Sequence, residues 1–193
     1  MVLDHCDAVC LSPPGDRTMQ LLAERVGFRL VLPAGHTEAA SDPVCFFLID
    51  FRAEDEEKRQ LLLRLRSSPA PALRFAPVIV VVGSCPAEEV MRYIHLGFDD
   101  VIALPASAAN LSARFEAQLN CERTYYETAT YFGPDRRRAP RDELPNANRP
   151  AGRVIEHHFI RDPLSGIRLV RPPPAPFKAI PGLAETMHHL AHN

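Results

Sequence analysis

Residues 86–105 read PAEEVMRYIHLGFDDVIALP, and this stretch decides the fold. Residues 86–96 form an expected helix, with Pro86 near its first turn. Gly97 is its expected stop, since glycine readily takes the left-handed conformation that ends helices. Residues 100–104 then read as a short strand. Immediately upstream, residues 77–84 (PVIVVVGS) form a continuous apolar run. Such a run marks a strand covered on both faces. Residues 44–51 (VCFFLIDF) carry the same mark. Between these two runs, residues 54–66 predict a helix, with Leu61, Leu62 and Leu65 inward and Asp55, Glu56, Lys58 and Arg59 outward.

Further toward the start, residues 7–12 (DAVCLS) read as a strand ended by Pro13-Pro14-Gly15. Residues 16–26 place Met19, Leu22, Ala23 and Val26 three and four apart, which predicts an amphipathic helix. Asp16 is its candidate N-cap and Gly27 its stop. Residues 28–32 predict another strand. The connection at residues 33–43 is weak for a helix, with one or two turns at most over 37–41. Residues 107–127 predict a long closing helix, striped by Leu111, Phe115 and Leu119. Buried strands alternating with amphipathic helices imply a parallel sheet with helices on both faces.

The average composition conceals a split. The chain has 193 residues and a formal net charge of −2. Residues 1–127 have net charge −6 and residues 128–193 net +4. Ten of the 19 prolines fall in the last 66 residues. The expected organisation is an acidic α/β domain at 1–127 and a basic, Pro-rich extension at 128–193. That extension has few apolar runs and is expected to lack a core of its own. Within it, VIEHHFI (154–160) and residues 167–170 flank the turn Asp162-Pro163-Leu164-Ser165-Gly166, so a short hairpin over 154–170 is expected. No apolar run approaches the ~18 residues of a membrane span. The N-terminus has no cationic start or cleavage site of a secretory signal. Five scattered cysteines fit reduced cytosolic thiols better than a disulfide framework, so a cytoplasmic location is expected. Cys6 and Cys10 read as small apolar residues.

The front pattern resembles the receiver domain of CheY-like bacterial response regulators, over roughly residues 5–125. The resemblance rests on residues 86–105 and on FFLIDF, where receivers end their third strand with the phospho-accepting aspartate. It implies a flavodoxin-like, doubly wound five-stranded parallel sheet of order 2-1-3-4-5. It also implies that Asp50 stands at the phosphoacceptor place. Receivers surround that place with an acidic pair that holds Mg²⁺, a Thr or Ser after strand four, and a Lys after strand five. Here those places fall on Ser12 and Pro13, on Val82, and on Leu104. Ser84 lies two residues beyond Val82 and restores a hydroxyl only if strand four shifts by two. Asp16 lies too far into the following turn to count as a metal ligand. The pattern is that of a degenerate, pseudo-receiver domain that should bind Mg²⁺ poorly. Asp50 then has two readings, a strand-end carboxylate that turns the chain or a retained signalling residue.

The extension opens with YFGPDRRRAPRD (131–142), in which Arg136, Arg137, Arg138 and Arg141 form a cationic cluster. Arginine forks bind phosphate or carboxylate bidentately and stack on purines. The spacing Arg137-x-x-x-Arg141 resembles the opening motif of PilZ domains, which bind cyclic di-GMP, but the rest of the PilZ pattern is absent. YFGPDRRR also resembles the Arg-rich extensions of receiver-like proteins of alphaproteobacteria, some of them cyclic di-GMP effectors. The alternative is a solvated basic linker, or one folded onto the acidic domain. Residues 172–176 (PPPAP) should be extended, as a spacer rather than a docking peptide. Residues 183–190 suggest a short helix. His188 and His192 sit one helical turn apart, with no cysteine or matched carboxylate to complete a metal site. Glu88-Glu89 and Asp99-Asp100 are paired carboxylates at helix ends, expected to be solvated.

Three functional expectations result. The first is a non-catalytic adaptor of two-component signalling. It would dock a protein partner, a histidine kinase or another signalling protein, or a second copy, through the helix 4–strand 5–helix 5 face. Glu88, Arg92, Tyr93 and Arg114 are expected to be exposed there. The second is a cyclic di-GMP effector using the Arg cluster. The third is an active response regulator phosphorylated on Asp50 in a phosphorelay. No catalytic constellation points to an enzyme, and no helix-turn-helix points to DNA.

Overall fold

The computed structural model describes residues 2–35, 44–135 and 154–171. After a 3-10 turn at Val2–His5 come β1 (Asp7–Leu11), α1 (Thr18–Val26), β2 (Leu30–Pro33), β3 (Cys45–Asp50), α2 (Asp55–Arg66) and α3 (Pro71–Arg74). Then follow β4 (Val78–Val82), α4 (Ala87–Leu96), β5 (Asp100–Ala103) and α5 (Ala108–Glu116). The first five strands form one sheet of order β2-β1-β3-β4-β5, and every pairing in it is parallel. This is the flavodoxin-like α/β arrangement expected from the alternation of elements.

The apolar runs explain the sheet. All six residues of β3 and all five of β4 are buried. On one face Phe46 meets Phe28 and Phe115 edge-on, with ring centroids 5.2 and 5.9 Å away. On the other, Phe47, Ile49, Val80 and Val82 pack with Leu61, Leu62 and Leu65 of α2 and with Tyr93 and Phe98. Cys6, just before β1, and Cys10 and Cys45 in the sheet are buried, and burial pushes each thiol up to about 12. Gly27 and Gly97 end α1 and α4 at φ +97° and +99°.

The closing helix is shorter than its stripe suggests. It ends at Glu116, and Leu119 is buried in the turn beyond it. Asn120 takes φ +55° and the chain reverses. Residues 122–127 (ERTYYE) then form β6, because Thr and Tyr favour a pleated, half-buried surface. Strands β7 (Phe132–Pro134), β8 (Ile155–Asp162) and β9 (Gly166–Leu169) join it in a second sheet, antiparallel throughout, of order β7-β6-β8-β9. β8 and β9 are a hairpin whose turn is tied by Asp162 Oδ1, which accepts the Leu164 and Ser165 amides at 2.8 and 3.1 Å.

The second sheet has a core, contrary to expectation. Ile155, His157, Phe159 and Arg161 of β8 point inward. Tyr125, Phe132 and Phe159 close around Phe75, which follows α3 in the first layer. The extension thus completes its core with two aromatic rings, Phe75 and Tyr125, from the front part of the chain. Among the described residues, no helix is long and apolar enough to cross a membrane. The weak helix at 37–41, the prolines at 172–176, the closing helix at 183–190 and the His188/His192 pair lie outside the described residues.

Candidate functional site

Asp50 ends β3 at the carboxyl edge of the parallel sheet, where ligands of such folds bind. Its side chain is 2% exposed, and it is already engaged. The chain turns immediately after it, with the Ala53 amide donating to the Asp50 carbonyl. This turn sends Arg52 back over the strand end. Arg52 Nε donates to Asp50 Oδ1 at 3.0 Å and Nη2 to Oδ2 at 2.6 Å. The Arg52 amide adds a third bond to Oδ1 at 2.9 Å. The same Nη2 also donates to Asp16 Oδ2 at 2.8 Å, across from the β1–α1 turn. Asp50 raises the Arg52 guanidinium further above its ordinary range. The Asp16 carboxyl is held below its ordinary value, first by hydrogen bonds from the Thr18 side chain and amide and then by Arg52.

The other places picked out by the receiver resemblance supply little. Val82 is buried at the end of β4 and offers only a hydrocarbon. Leu104 follows β5, its amide tied to the Val82 carbonyl at 2.7 Å. Ser84 is exposed, two residues beyond the end of β4 at Val82. Pro13 is half-buried. Ser12 Oγ is inaccessible and has no hydrogen-bond partner among the described residues. Lys58, the one lysine among the described residues, does not replace the missing ammonium. It is 3% exposed, donates to the Phe51 carbonyl at 2.7 Å and the Tyr93 hydroxyl at 3.0 Å, and pairs with Asp55. The structure therefore brings Asp50, Asp16 and Arg52 together, and among the described residues it leaves no cation free beside them for an incoming phosphoryl group. Asp16 was set aside in the sequence, and Arg52 was missed. An Asp-x-Arg step at a strand end is the only trace of the pair.

A second carboxylate cluster lies at the opposite edge. Asp99, expected in solvent, is 6% exposed just before β5. Its Oδ1 accepts from Arg161 Nη2 at 2.7 Å and from the Tyr125 hydroxyl. Its Oδ2 accepts from Arg66 Nη2 and from the Val78 amide, both at 2.8 Å. Burial alone would raise the Asp99 carboxyl, but Arg161 and Arg66 outweigh it and hold it at about 2. Arg161, wholly buried, also donates to the Phe75 carbonyl and to Gln118. Burial pushes the Tyr125 phenol up to about 12. Every acceptor site on this carboxylate is filled from inside the protein, which makes it a structural joint between the two sheets.

On the helix 4–strand 5–helix 5 face, Glu88, Arg92 and Arg114 are exposed as expected. Tyr93 is not. It is 2% exposed, because its ring packs edge-on to Phe98 and its hydroxyl meets Lys58. Arg136, Arg137, Arg138 and Arg141 lie outside the described residues. Among the described residues, no three His, Cys, Asp or Glu side chains converge as a metal site. Neither the models of known protein families nor the curated proteins contain a match to the chain.

Proposed function

We propose that this chain is a pseudo-receiver, a non-catalytic signalling adaptor that works through protein–protein contact. One observation carries this reading: both oxygens of Asp50 are held by Arg52 of the same chain. A carboxylate must offer a free oxygen lone pair to attack phosphorus, and the product needs cations around its phosphoryl oxygens. Here the nucleophile is engaged, and Val82 and Leu104 offer neither a hydroxyl nor an ammonium. A surface remains for the function to use. Glu88, Arg92 and Arg114 on α4 and α5 present charges to a partner, which on this reading is another two-component signalling protein.

The test is incubation of the full chain with acetyl phosphate and Mg²⁺, followed by intact-mass measurement. The mass should stay unchanged. A gain of one phosphoryl group that disappears in Asp50→Asn would overturn the reading in favour of an active response regulator.

A further inference from the structure

We propose that Lys58 is a latch: its ammonium joins the turn after Asp50 to α4 and sets the pose of that helix. The latch itself is independent of the adaptor reading, and only its bearing on a partner that meets α4 rests on that reading. Lys58, expected outward, is buried, and acceptors from three segments meet its one nitrogen. Lys58 Nζ donates to the Phe51 carbonyl in the turn at 2.7 Å, to the Tyr93 hydroxyl of α4 at 3.0 Å, and to Asp55 Oδ1 of its own helix at 2.8 Å. An ammonium carries three donors, and all three are used. The other Asp55 oxygen accepts from Arg92 Nη1 of α4 at 3.1 Å, a second tie between the same two helices. Burial would raise the Asp55 carboxyl, but Lys58 and Arg92 outweigh it and hold it below its ordinary value.

The packing of α4 gives this tie its weight. α1, α2 and α5 each bury at least two apolar side chains. Of the ten residues of α4 only Tyr93 is buried, and its hydroxyl is the one that Lys58 holds. Val90, Ile94 and Leu96 are half-buried. A cleft walled by Leu96 and Phe98 remains beside the latch, so apolar contact does not close the space between α2 and α4. Beyond the last turn of α4, Gly97 lies against the backbone of β7 at Phe132. The latch holds the middle of the helix. Elements with few buried apolar contacts open at low free energy, so a polar tie decides more there than in a well-packed helix.

Hydrogen bonds to a charged donor are the strong kind, and losing the donor strands the buried acceptors. Phe51 directly follows Asp50, so the turn and α4 move as one body. Glu88 and Arg92, which face the partner on the adaptor reading, are thereby kept in a fixed place relative to Asp50.

The test is hydrogen exchange of the full chain, read by mass spectrometry of its peptides. Lys58→Met keeps most of the length of the side chain and removes its donors. The amides of residues 51–54 and of α4 should exchange about tenfold faster in that variant, and those of α5 and β8 at the parent rate. Tyr93→Phe removes only the hydroxyl. It should speed exchange in α4 and leave residues 51–54 near the parent rate. Circular dichroism checks that each variant is folded, and if Lys58→Met is not, Tyr93→Phe decides alone. Parent rates in α4 of a folded variant would overturn the proposal. So would an acceleration of equal size in α5 and β8, which marks general destabilisation instead of a local latch. Neither result bears on phosphate uptake at Asp50, so the adaptor reading stands or falls separately.

Discussion

Asp50 and Asp99 stand at opposite edges of the same parallel sheet, and arginine holds each of them. The similarity ends there. The partner of Asp50 is two residues away and its side chain is 47% exposed. The partners of Asp99, Arg66 and Arg161, are 33 and 62 residues away and almost wholly buried. A local pair whose arginine is wetted contributes little to stability, because water competes for the Arg52 charge. A buried pair is held by partners that water cannot replace, so removing one member is costly. One edge thus sets a local charge state, and the other holds two sheets together.

The largest way to break this contrast is Arg161→Met. It strands the Asp99 carboxylate with one cation fewer and should destabilise the fold by about 3–5 kcal/mol. The midpoint of urea unfolding measures it. Arg52→Ala is the matched experiment at the other edge. It should cost about 1 kcal/mol or less, because water takes the place of the departing side chain. Similar losses at the two sites would erase the distinction.

Acid sharpens the same contrast. The Asp99 carboxyl is held at about 2 in the folded protein, against about 3.9 in an unfolded chain. Its folded value is depressed, so its contribution is complete above about pH 4 and disappears as pH falls through 2. That contribution is about 2 kcal/mol, and acid unfolding followed by circular dichroism should show it. Glu127 is also held low, by His157 and Arg74 against the effect of burial, and adds to the loss in the same direction. Arg161→Met should weaken the acid limb of the curve, whereas Arg52→Ala should leave it in place.

A smaller effect is expected of Gly97→Ala, at about 1–2 kcal/mol for the left-handed backbone. Its added Cβ would also meet the Phe132 carbonyl at 2.9 Å, so β7 must shift. Urea unfolding reads the loss, and the aromatic near-ultraviolet signal around Phe75 reads the shift.

The parallel layer was legible because its strands are covered on both faces and read as unbroken apolar runs. β3 and β4 need no partner to be recognised. The second sheet was harder to read, for a physical reason visible in VIEHHFIRD. The inward positions of β8 are Ile155, His157, Phe159 and Arg161. Two of the four carry nitrogen groups whose partners lie elsewhere in the chain, so the alternation of apolar and polar residues is hidden. β6 was masked differently. The stripe through Leu111, Phe115 and Leu119 runs on past the end of α5, and Leu119 is buried without being helical. At the site, Asp50 could be located from FFLIDF, but the return of Arg52 depends on a turn that no periodicity reports. Asp99 looked like one half of a solvated pair because its cover arrives from residues 125 and 161.

That late arrival has a consequence for the order in which the molecule is made. The five strands of the parallel sheet are all synthesised by residue 103, yet Asp99 and Arg66 face an unfinished edge until β8 emerges. Chains fold from their N-termini as they leave the ribosome. During that interval a nearly complete sheet carries an exposed Phe75 and a carboxylate short of one cation. The second sheet therefore acts as a closing signal, and a polypeptide cut before Arg161 carries the look of the fold without its final commitment.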